Sequence, residues 1–560
     1  MTLVAGVDIG NSTTEIVIAD EHGTPVRWDR RPTRGIKGSL DSGAGAARLL
    51  ARMEVSLGRR ADLVALTPQS PVTTMSAELP EPAVDTGRVM VVSTGSSTPA
   101  GTGLGAGRPV DIASTPAGGG EDIVLVARDP LGFQSTVAQA RAWLHAGHPV
   151  VGILLAGDEA VLVSARLDQT LPVADCIDPD AVLTCARVLV EVARPGDQVR
   201  AASDPIRLSA ALGLDAGEHA DAVAACARVQ GSRSAVLGVL AHGRAEPPRL
   251  ERPGPEAWVE WPGTARRALR NAREPLAGRP LGIPVTFRLP HSAPMTAADV
   301  WLVDLDRVAG LPGLHPGTVA NRTVIVSAMT PGAGAGQHVT GFRQEHAGSV
   351  RMVSSEAEAG RLGALTTPGA SADATVVDLG GGSVDATRIG PRGLCIVSAA
   401  GSGSMLTIAV AEALGIASGT AEWVKRGPAS RIESPHLAVR ETGVREFLEP
   451  PAPAGAVGWL TSPGPGGPLP FAATLELGQW RAVRQALKRA VFADNLSRVL
   501  RGLGTPGGDL LLVGGPAGDD ELLDSINGVL PGMAAGRGNV AGRLGHRWAV
   551  AYGLVLAVLG

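Results

Sequence analysis

Two similar strings far apart in the chain constrain its fold more than any other feature. The strings VDIGNSTTE (7–15) and VDLGGGSVD (377–385) each run from an apolar strand through Asp, an apolar residue and Gly into a turn of small polar residues. A second strand follows each turn, so each string predicts a tight hairpin behind a strand-terminal carboxylate. Successive N–H groups in such a turn bind anions, and glycine lets a phosphate approach closely. Two such hairpins facing each other could hold a polyphosphate between two similar halves.

Three carboxylates of these strings are candidate catalytic residues. Asp8 and Asp378 end the first strand of their hairpins, where Mg2+ and an attacking water are needed beside a polyphosphate. Asp385 is predicted to support the second hairpin. A third string, VGGPAGDDELLDSI (513–526), is a buried strand that ends in Gly-Gly before a helix, which leaves room for a flat adenine or a ribose. The three strings together favour a site for ATP or ADP with Mg2+.

Composition excludes several other classes of protein. The 50 basic and 54 acidic side chains leave a net charge of -4, which predicts neither a nucleic-acid partner nor a membrane partner. None of the three lysines (Lys37, Lys425, Lys488) lies in a GxxxxGK[ST] string, which argues against a P-loop NTPase. No CxxC pair occurs among the four cysteines. The N-terminus lacks the basic start of a signal peptide and the longest apolar stretch (548–559) is short, so we expect a soluble, cytoplasmic protein.

The three strings resemble the phosphate-1, phosphate-2 and adenosine motifs of the actin/Hsp70/hexokinase ATPase superfamily. Further strings narrow the resemblance to the large subunit of diol/glycerol dehydratase reactivases. These strings are STPAGTGLGAG (97–107), SEAEAGRLGALTTPG (355–369), LLLVGGPA (510–517) and AGRGNVAGRLGHRWAVAYGL (535–554). Because they are spread along nearly the whole chain, the resemblance covers most of it.

The resemblance implies an α/β fold with an actin-like (ribonuclease H-like) two-lobed ATPase core and an inserted α/β swivelling domain. Residues 1–90 would form part of the first lobe, and residues 91–243 the swivelling domain. Residues 244–320 are rich in Pro, Arg and Trp and are predicted to be a linker or irregular region. Residues 321–560 would complete the core.

The function implied by the resemblance is that of an ATP-dependent, chaperone-like reactivating factor with weak ATPase activity. Such a factor releases damaged cobalamin from an inactivated adenosylcobalamin-dependent diol or glycerol dehydratase, so that intact cofactor can bind. The implied partners are a small reactivase subunit, in an assembly of two large and two small subunits, and the dehydratase as client. The implied location is the cytoplasm or a bacterial microcompartment.

The resemblance also implies the residues that contact nucleotide and metal. The implied nucleotide contacts are Asn11, Ser12, Thr13, Ala400, Gly401, Ser402, Gly403, Gly515, Pro516 and Arg547. Pro516 replaces a serine usual in the family and so lacks a hydroxyl and an N–H donor, while Arg547 could stack on adenine through its planar guanidinium. Thr98, Asp158 and Asp175 match the family's second metal site, for Mg2+ or Ca2+, completed by a carboxylate of the small subunit. A hydroxyl and two carboxylates suit a hard divalent cation.

Two other functions compete with this interpretation. A small-molecule kinase, or a hydantoinase/acetone-carboxylase-like enzyme, could use the same ATPase scaffold. A kinase would need a carboxylate base beside a specificity pocket in the cleft, and the sequence alone shows none. A filament-forming structural protein is disfavoured by the inserted α/β block at about 91–240.

Overall fold

Two five-stranded sheets with the same topology form the centre of the molecule. The computed structural model describes residues 2–79, 86–93, 99–115, 120–128, 132–194, 197–243, 257–290, 292–314, 319, 323–330, 336–353, 355–504, 509–530 and 532–560. From edge to edge, the first sheet consists of Pro25–Pro32, Thr13–Asp20, Leu3–Ile9, Leu63–Leu66 and Ser349–Met352. The second sheet consists of Gly393–Ala400, Ser383–Gly390, Thr375–Leu379, Leu510–Val513 and Ala535–Arg537. In both sheets the first three strands are antiparallel and the last two run parallel to the central strand.

The half of the molecule built on the first sheet is called the first lobe. Its central strand alternates between two packed faces. Ala5 and Val7 pack towards the helices Leu40–Leu57 and Gln337–Glu345 on one face, and Val4 packs towards the helix Ala549–Leu559 on the other. The helix Glu356–Ala364 lies against Ala549–Leu559 on this second face. Burial on both faces explains why the strand is apolar along most of its length.

The half built on the second sheet, the second lobe, holds the largest apolar core of the described residues. Its helices are Gly403–Leu414, Ser418–Val424, Leu477–Lys488, Asp494–Gly502 and Asp520–Val529, with a π-helical turn at Arg489–Ala493 and short 3-10 turns at Ala454–Ala456 and Pro516–Gly518. A further antiparallel sheet is inserted between two of these helices, with strands Leu437–Arg440, Arg445–Phe447, Ser430–Ser434, Leu460–Gly464 and Gly467–Ala472.

A long insertion interrupts the first lobe between its last two strands. It contains a seven-stranded sheet made of Val173–Ala174, Val150–Leu155, Ile123–Ala127, Gly103–Asp111, Cys185–Val192, Ser234–Leu240 and Val89–Ser93. Its helices are Gly132–His145, Ala160–Ser164, Pro179–Leu183, Pro205–Leu212 and His219–Val229, with a 3-10 turn at Ala216–Glu218. A three-stranded sheet of Asp299–Asp304, Thr323–Met329 and Val72–Glu78, followed on one strand by the helix Leu305–Ala309, connects this insertion to the core.

The region predicted to be a linker or irregular, 244–320, contains regular structure in its described part. A four-stranded antiparallel sheet consists of Arg267–Ala268, Trp258–Glu260, Val285–Arg288 and Met295–Ala297. The 3-10 turn Leu269–Asn271 and the helix Arg273–Gly278 pack on it and share one apolar core with the three-stranded sheet. The expectation of irregular structure is therefore wrong. Strands of two to four residues separated by Pro and Gly are too short to show a period-two pattern in the sequence.

No single helix among the described residues is long and apolar enough to cross a membrane; Gly403–Leu414 and Ser418–Val424 reach that length only as a pair bent by 107°.

The helices Glu356–Ala364 and Ala549–Leu559 lie between the two sheets and cross at very short range through glycine. A Cβ atom at Gly553 would lie 1.7 Å from the carbonyl oxygen of Ala359, and one at Gly363 would lie 1.9 Å from that of Ala549. No side chain fits at either position, so the helix backbones themselves are in contact. The approach of the two lobes therefore depends on these glycines.

We expect Gly553→Ala to lower the stability of the chain, because the added methyl group must push the two helices apart. Overpacking of this kind costs roughly 1–3 kcal/mol. Gly528→Ala is the matched control, since Gly528 is an exposed position of the helix Asp520–Val529 with no atom within 4 Å of its added Cβ. There, alanine should be neutral or stabilise by about 0.5–1 kcal/mol. Thermal unfolding checks both variants, and equal melting temperatures would contradict the close crossing.

Candidate active site

A cavity of about 380 Å³ lies between the two lobes, and both hairpins line it. The structure brings all three predicted catalytic carboxylates, Asp8, Asp378 and Asp385, to this one cavity. Asn11, Ser12 and Thr13 of the first hairpin also line it. Asp8 pairs with Glu15 across the first hairpin, and Asp378 pairs with Asp385 across the second. The two strings therefore face each other as their similarity suggested.

The tips of the two hairpins touch. The Oγ atoms of Ser12 and Ser404 are 2.9 Å apart, so the first lobe contacts the second directly. A Cβ at Gly381 would lie 2.5 Å from Ser12 Oγ, and one at Gly382 would lie 2.1 Å from Asn11 Nδ2. This close approach explains why the second turn consists of glycine.

Burial dominates the electrostatics of the carboxylates around the cavity. It raises the pKa of Asp8 well above its ordinary value, with a further increase from the charge of Glu356. Burial and the charge of Asp385 raise the pKa of Asp378 to about 8. Burial also raises the pKa of Glu15 to about 7, although Arg547 opposes the shift. So many carboxylates are costly to ionise together without a cation beside them.

Asp385 is held more firmly than the other two predicted catalytic residues. Ser383 Oγ donates a hydrogen bond to it at 2.7 Å, and Ser398 Oγ donates another. Burial and Glu356 raise its pKa, while these two hydrogen bonds oppose the shift. In contrast, Oδ1 of Asp8 is buried with no hydrogen-bond partner. An orphaned carboxylate oxygen in an acidic cavity fits a hard divalent cation or a water bound to it.

Lys37 and Glu356 also line the cavity, and sequence reasoning missed both. Lys37 Nζ donates to the two carboxylate oxygens of Glu356 at 2.7 and 3.0 Å. Burial alone would lower the pKa of Lys37, but the charges of Glu356 and Asp8 outweigh it, so the pKa is raised. Glu356 begins the helix Glu356–Ala364 beneath the capping residue Ser355, within the family string at 355–369. The rarity of lysine was the one signal that could have singled out Lys37.

The opposite end of the cavity is basic and carries the predicted adenosine residues. Gly514 has a φ of 89°, which favours glycine, and the chain turns there beside the second hairpin. A larger residue would not fit, because a Cβ would lie 2.3 Å from Asp378 Oδ1. Gly515 lies against the guanidinium of Arg547, whose Nη1 would be 2.8 Å from an added Cβ. Pro516 begins the short turn Pro516–Gly518, and it lines the cavity together with Gly514 and Gly515.

Three further residues line this end and were not identified from the sequence: Glu422, Lys425 and Arg426. Lys425 Nζ lies 2.6 Å from Glu422 Oε2 and donates to the carbonyl oxygen of Gly403 at 2.9 Å. Burial lowers the pKa of Lys425, although Glu422 opposes the shift. Glu422, Lys425 and Arg426 follow one another at helical spacing but belong to no short motif, so only the tertiary fold shows that they line the cavity.

The predicted contacts Ala400, Gly401, Ser402 and Gly403 form the turn between the strand Gly393–Ala400 and the helix Gly403–Leu414. Gly403 lines the cavity, whereas the other three do not. Ser402 Oγ donates to the carbonyl oxygen of Gly380 at 2.7 Å, which ties the turn to the second hairpin. Gly401 has a φ of 95°, a conformation that favours glycine.

The predicted second metal site lies in the seven-stranded unit. Ligand atoms of Asp158, Asp175 and Cys176 lie within 4.8 Å of one another. Asp175 is fully buried, and its Oδ2 accepts a hydrogen bond from the N–H of Ala160 at 3.2 Å. Thr98, the third predicted ligand, lies outside the described residues. Two close carboxylates, one of them buried, are compatible with a hard divalent cation.

Comparisons with known proteins identify the same two parts. A family model described as the diol dehydratase reactivase ATPase-like domain matches residues 305–558, and one described as the DD-reactivating factor swiveling domain matches residues 87–243. The propanediol dehydratase-reactivating factor large subunit of Citrobacter freundii is 30% identical over 608 residues, covering 100% of this chain and 98% of that protein. The diol dehydratase-reactivating factor large subunit of Klebsiella michiganensis is 29% identical with the same coverage.

Solved structures agree with these matches. A diol dehydratase-reactivating factor in nucleotide-free form covers 100% of both chains at 26% identity, with a TM-score of 0.57. A glycerol dehydratase reactivase covers 99% of both chains at 26% identity, with a TM-score of 0.56.

Two lobes with one sheet topology, closing on a cavity of phosphate-type hairpins, define an actin-like ATPase core with an inserted swivelling domain. The fold class predicted from the sequence is confirmed. The sequence matches go further, and the chain belongs to the family of dehydratase-reactivating factor large subunits. The resemblance inferred from the motifs is therefore confirmed, and the alternative of a kinase or a hydantoinase-like enzyme is left without support.

We expect the nucleotide-free protein to lose stability as the pH rises from about 4 to 8, partly on account of Asp378. Its folded pKa of about 8 exceeds the ordinary value of 3.8, so the folded chain binds a proton that the unfolded chain has already lost. Asp378→Asn removes this contribution and should flatten the fall in melting temperature over that range. The exposed carboxylate Asp509 provides the control Asp509→Asn. An unchanged pH dependence in Asp378→Asn would contradict the buried acidic site.

Proposed function

We propose that this chain uses ATP to reactivate an adenosylcobalamin-dependent diol or glycerol dehydratase, in complex with a small subunit. Damaged cobalamin would leave the inactivated client, and intact cofactor would enter. The observation that carries the ATPase part is the acidic cavity between the two hairpins, with Asp8, Asp378 and Lys37 at one end and a basic end opposite. The client and the small subunit come from the names of the relatives.

The residues suggest how ATP would bind. Backbone N–H groups of the two hairpin turns, around Ser12 and Gly381, would hold the phosphates. Arg547 would lie against the adenine, and Glu422 and Lys425 would contact the nucleoside at the same end of the cavity. Pro516 has no N–H to donate there, so this end would rely more on the charged side chains.

Hydrolysis would use the opposite end. Asp8 and Asp378 would hold Mg2+, which neutralises phosphate charge and so makes the terminal phosphoryl group easier to attack. Glu356 would orient the attacking water, and Lys37 would balance the charge of Glu356 and stabilise the charge that develops on the phosphate. Asp385 would keep the second hairpin in position through Ser383 and Ser398. We propose a slow turnover, because the task is a change of state and not a high flux of ADP.

The swivelling domain, residues 91–243 in our division of the chain, would bind the small subunit. Asp158 and Asp175 would hold Mg2+ or Ca2+, and a carboxylate of the small subunit would complete the set of ligands. Val161 and Leu162 are exposed large apolar side chains close to Asp158 on the helix Ala160–Ser164, which suits a protein contact. We propose an assembly of two large and two small subunits, located in the cytoplasm or in a microcompartment that holds the client.

Asp8→Asn tests the hydrolytic part. Loss of a metal-positioning carboxylate commonly costs on the order of 10²–10⁴ in rate, so we expect ATP hydrolysis to fall by that factor. Asp524→Asn, on the exposed part of the helix Asp520–Val529, should hydrolyse ATP at the wild-type rate. Steady-state phosphate release measures both variants, and undiminished hydrolysis by Asp8→Asn would refute the assignment.

Asp158→Ala combined with Asp175→Ala tests the proposed subunit contact. We expect weaker binding of the small subunit with ATP hydrolysis retained, because the site lies in a different unit from the nucleotide cavity. Asp158→Asn alone leaves the buried Asp175 in place, so weaker small-subunit binding by this variant would not be due to a folding defect at Asp175. Asp168→Ala, an exposed position of the same domain, is the control. If neither the double variant nor a chelator changes the affinity for the small subunit, the metal site is wrong.

A further inference from the structure

A buried cluster of charged side chains holds the turn Ala400–Gly403 from behind. Asp299 Oδ2 accepts a hydrogen bond from the N–H of Ala400 at 2.8 Å. Asn495 Nδ2 donates to the carbonyl oxygens of Ala400 and Gly401 at 2.9 and 2.7 Å. Asp299 and Asn495 are buried. The backbone polar groups of this turn are thus fixed by two side chains from elsewhere in the chain, so the turn cannot move without them.

Two arginines bind the same carboxylate. Arg498 donates to both oxygens of Asp299, at 2.9 and 2.7 Å, and Arg279 donates to Oδ1. All three side chains are less than 5% exposed. Within the described residues this cluster therefore holds two guanidinium groups against one carboxylate, next to a turn whose last residue, Gly403, lines the cavity. Buried ion pairs of this geometry resist separation, because each partner would be left as an uncompensated charge.

Arg279 and Asp299 come from the long insertion, whereas Asn495 and Arg498 belong to the second lobe. Arg279 follows the helix Arg273–Gly278 of the four-stranded unit, and it also donates to the carbonyl oxygens of Pro280 and Ile283. That unit directly follows the swivelling domain in the chain. Its apolar core, which includes Phe287, is continuous with the three-stranded sheet that precedes and follows the insertion. Arg279 thus ties the four-stranded unit to Asp299, at the start of the strand Asp299–Asp304.

The first hairpin has a tie to the same support. Asn11 Nδ2 donates to the carbonyl oxygen of Val72 at 2.5 Å, and the N–H of Val72 lies 3.5 Å from Asn11 Oδ1. Val72 begins the strand Val72–Glu78, which leads towards the swivelling domain and pairs with Thr323–Met329. The strand Asp299–Asp304, with Asp299 at its start, forms the other edge of this sheet. One three-stranded sheet is therefore attached to the first hairpin through Asn11 and to the turn Ala400–Gly403 through Asp299.

We infer that Asp299 and Arg279 are positioning residues that couple the nucleotide turn Ala400–Gly403 to the swivelling domain. The inference rests on the proposed function, because it takes ATP and ADP to be the ligands of that turn. A change in the turn on nucleotide exchange moves Asp299 through Ala400, and the buried pair with Arg279 carries the movement into the four-stranded unit. A ligand shifts such an equilibrium only through its different affinity for the two states.

The variant Arg279→Met tests the coupling between the turn and the swivelling domain separately from nucleotide binding. Arg498 and the N–H of Ala400 still satisfy Asp299 in this variant, so ADP affinity should stay within about threefold of wild type, on the scale of one hydrogen bond. In the wild type, small-subunit affinities in the ATP-loaded and ADP-loaded states should differ by roughly 5–150-fold. In Arg279→Met that ratio should fall towards one, and Arg279→Lys, which keeps a cation, should recover part of it.

The control is Arg270→Met. Arg270 belongs to the same four-stranded unit and its Nη1 lies 3.5 Å from Asp306 Oδ2, but it does not touch the turn or Asp299. Arg270→Met should keep the wild-type ratio of small-subunit affinities in the ATP-loaded and ADP-loaded states. Titrations of the full-length chain with the small subunit, with ATP or ADP bound, measure all four proteins, and melting temperatures report any folding defect. If Arg279→Met does not fold, Arg279→Lys takes its place, and a reduced ratio at wild-type ADP affinity is still required.

The outcomes distinguish this inference from the proposed function. The coupling role is overturned if Arg279→Met keeps the wild-type ratio of small-subunit affinities in the two nucleotide states. Where only Arg279→Lys folds, the same result for that variant overturns it. The proposed ATPase function is unaffected in either case. A wild-type protein that binds nucleotide but shows equal small-subunit affinities in both states also overturns the coupling role. A wild-type protein that binds no nucleotide refutes the proposed function, and the inference with it.

Discussion

The two hairpins and the start of the helix Glu356–Ala364 bring five carboxylates together around Lys37 in the cavity between the lobes, and the charge of this cluster governs the site. The five carboxylates belong to Asp8, Glu15, Glu356, Asp378 and Asp385. Lys37 forms its ion pair with Glu356, which leaves the others with raised pKa values and Asp8 Oδ1 with no partner. A cavity of this kind is most stable when a cation and a polyphosphate share it, because both kinds of charge are then compensated.

The two-fold repetition of one sheet explains how such a cluster can be assembled. Each sheet ends its central strand with an aspartate and follows it with a turn that binds anions, so two copies face to face supply both sides of the phosphate site. The glycine crossing at Gly363 and Gly553 then sets how closely the copies approach. The hydrogen bonds of Asn11 to Val72 and of Asp299 to Ala400 attach the site to the three-stranded sheet.

The sequence predicted the features that local chemistry encodes. Each hairpin with its aspartate lies within nine residues and the Gly-Gly turn within fourteen, so a short string was enough to find them. Lys37 and Lys425 could not be found in this way, because each becomes a site residue only when distant segments pack around it. The four-stranded unit at 257–297 was missed for a different reason, since its strands are too short to show alternation. Arg279, a single arginine in a region rich in arginine, gave no signal at all.

On the proposed function, ATP bound between the hairpins drives the release of damaged cobalamin from the client enzyme. The direct measurement is the absorbance of free cobalamin after the purified large and small subunits are mixed with dehydratase that carries a damaged cofactor. We expect release with ATP and Mg2+, and release reduced by the same factor as hydrolysis when Asp8→Asn replaces the wild-type chain. Release at an equal rate without nucleotide, or an equal rate with Asp8→Asn despite impaired hydrolysis, would contradict the proposed function.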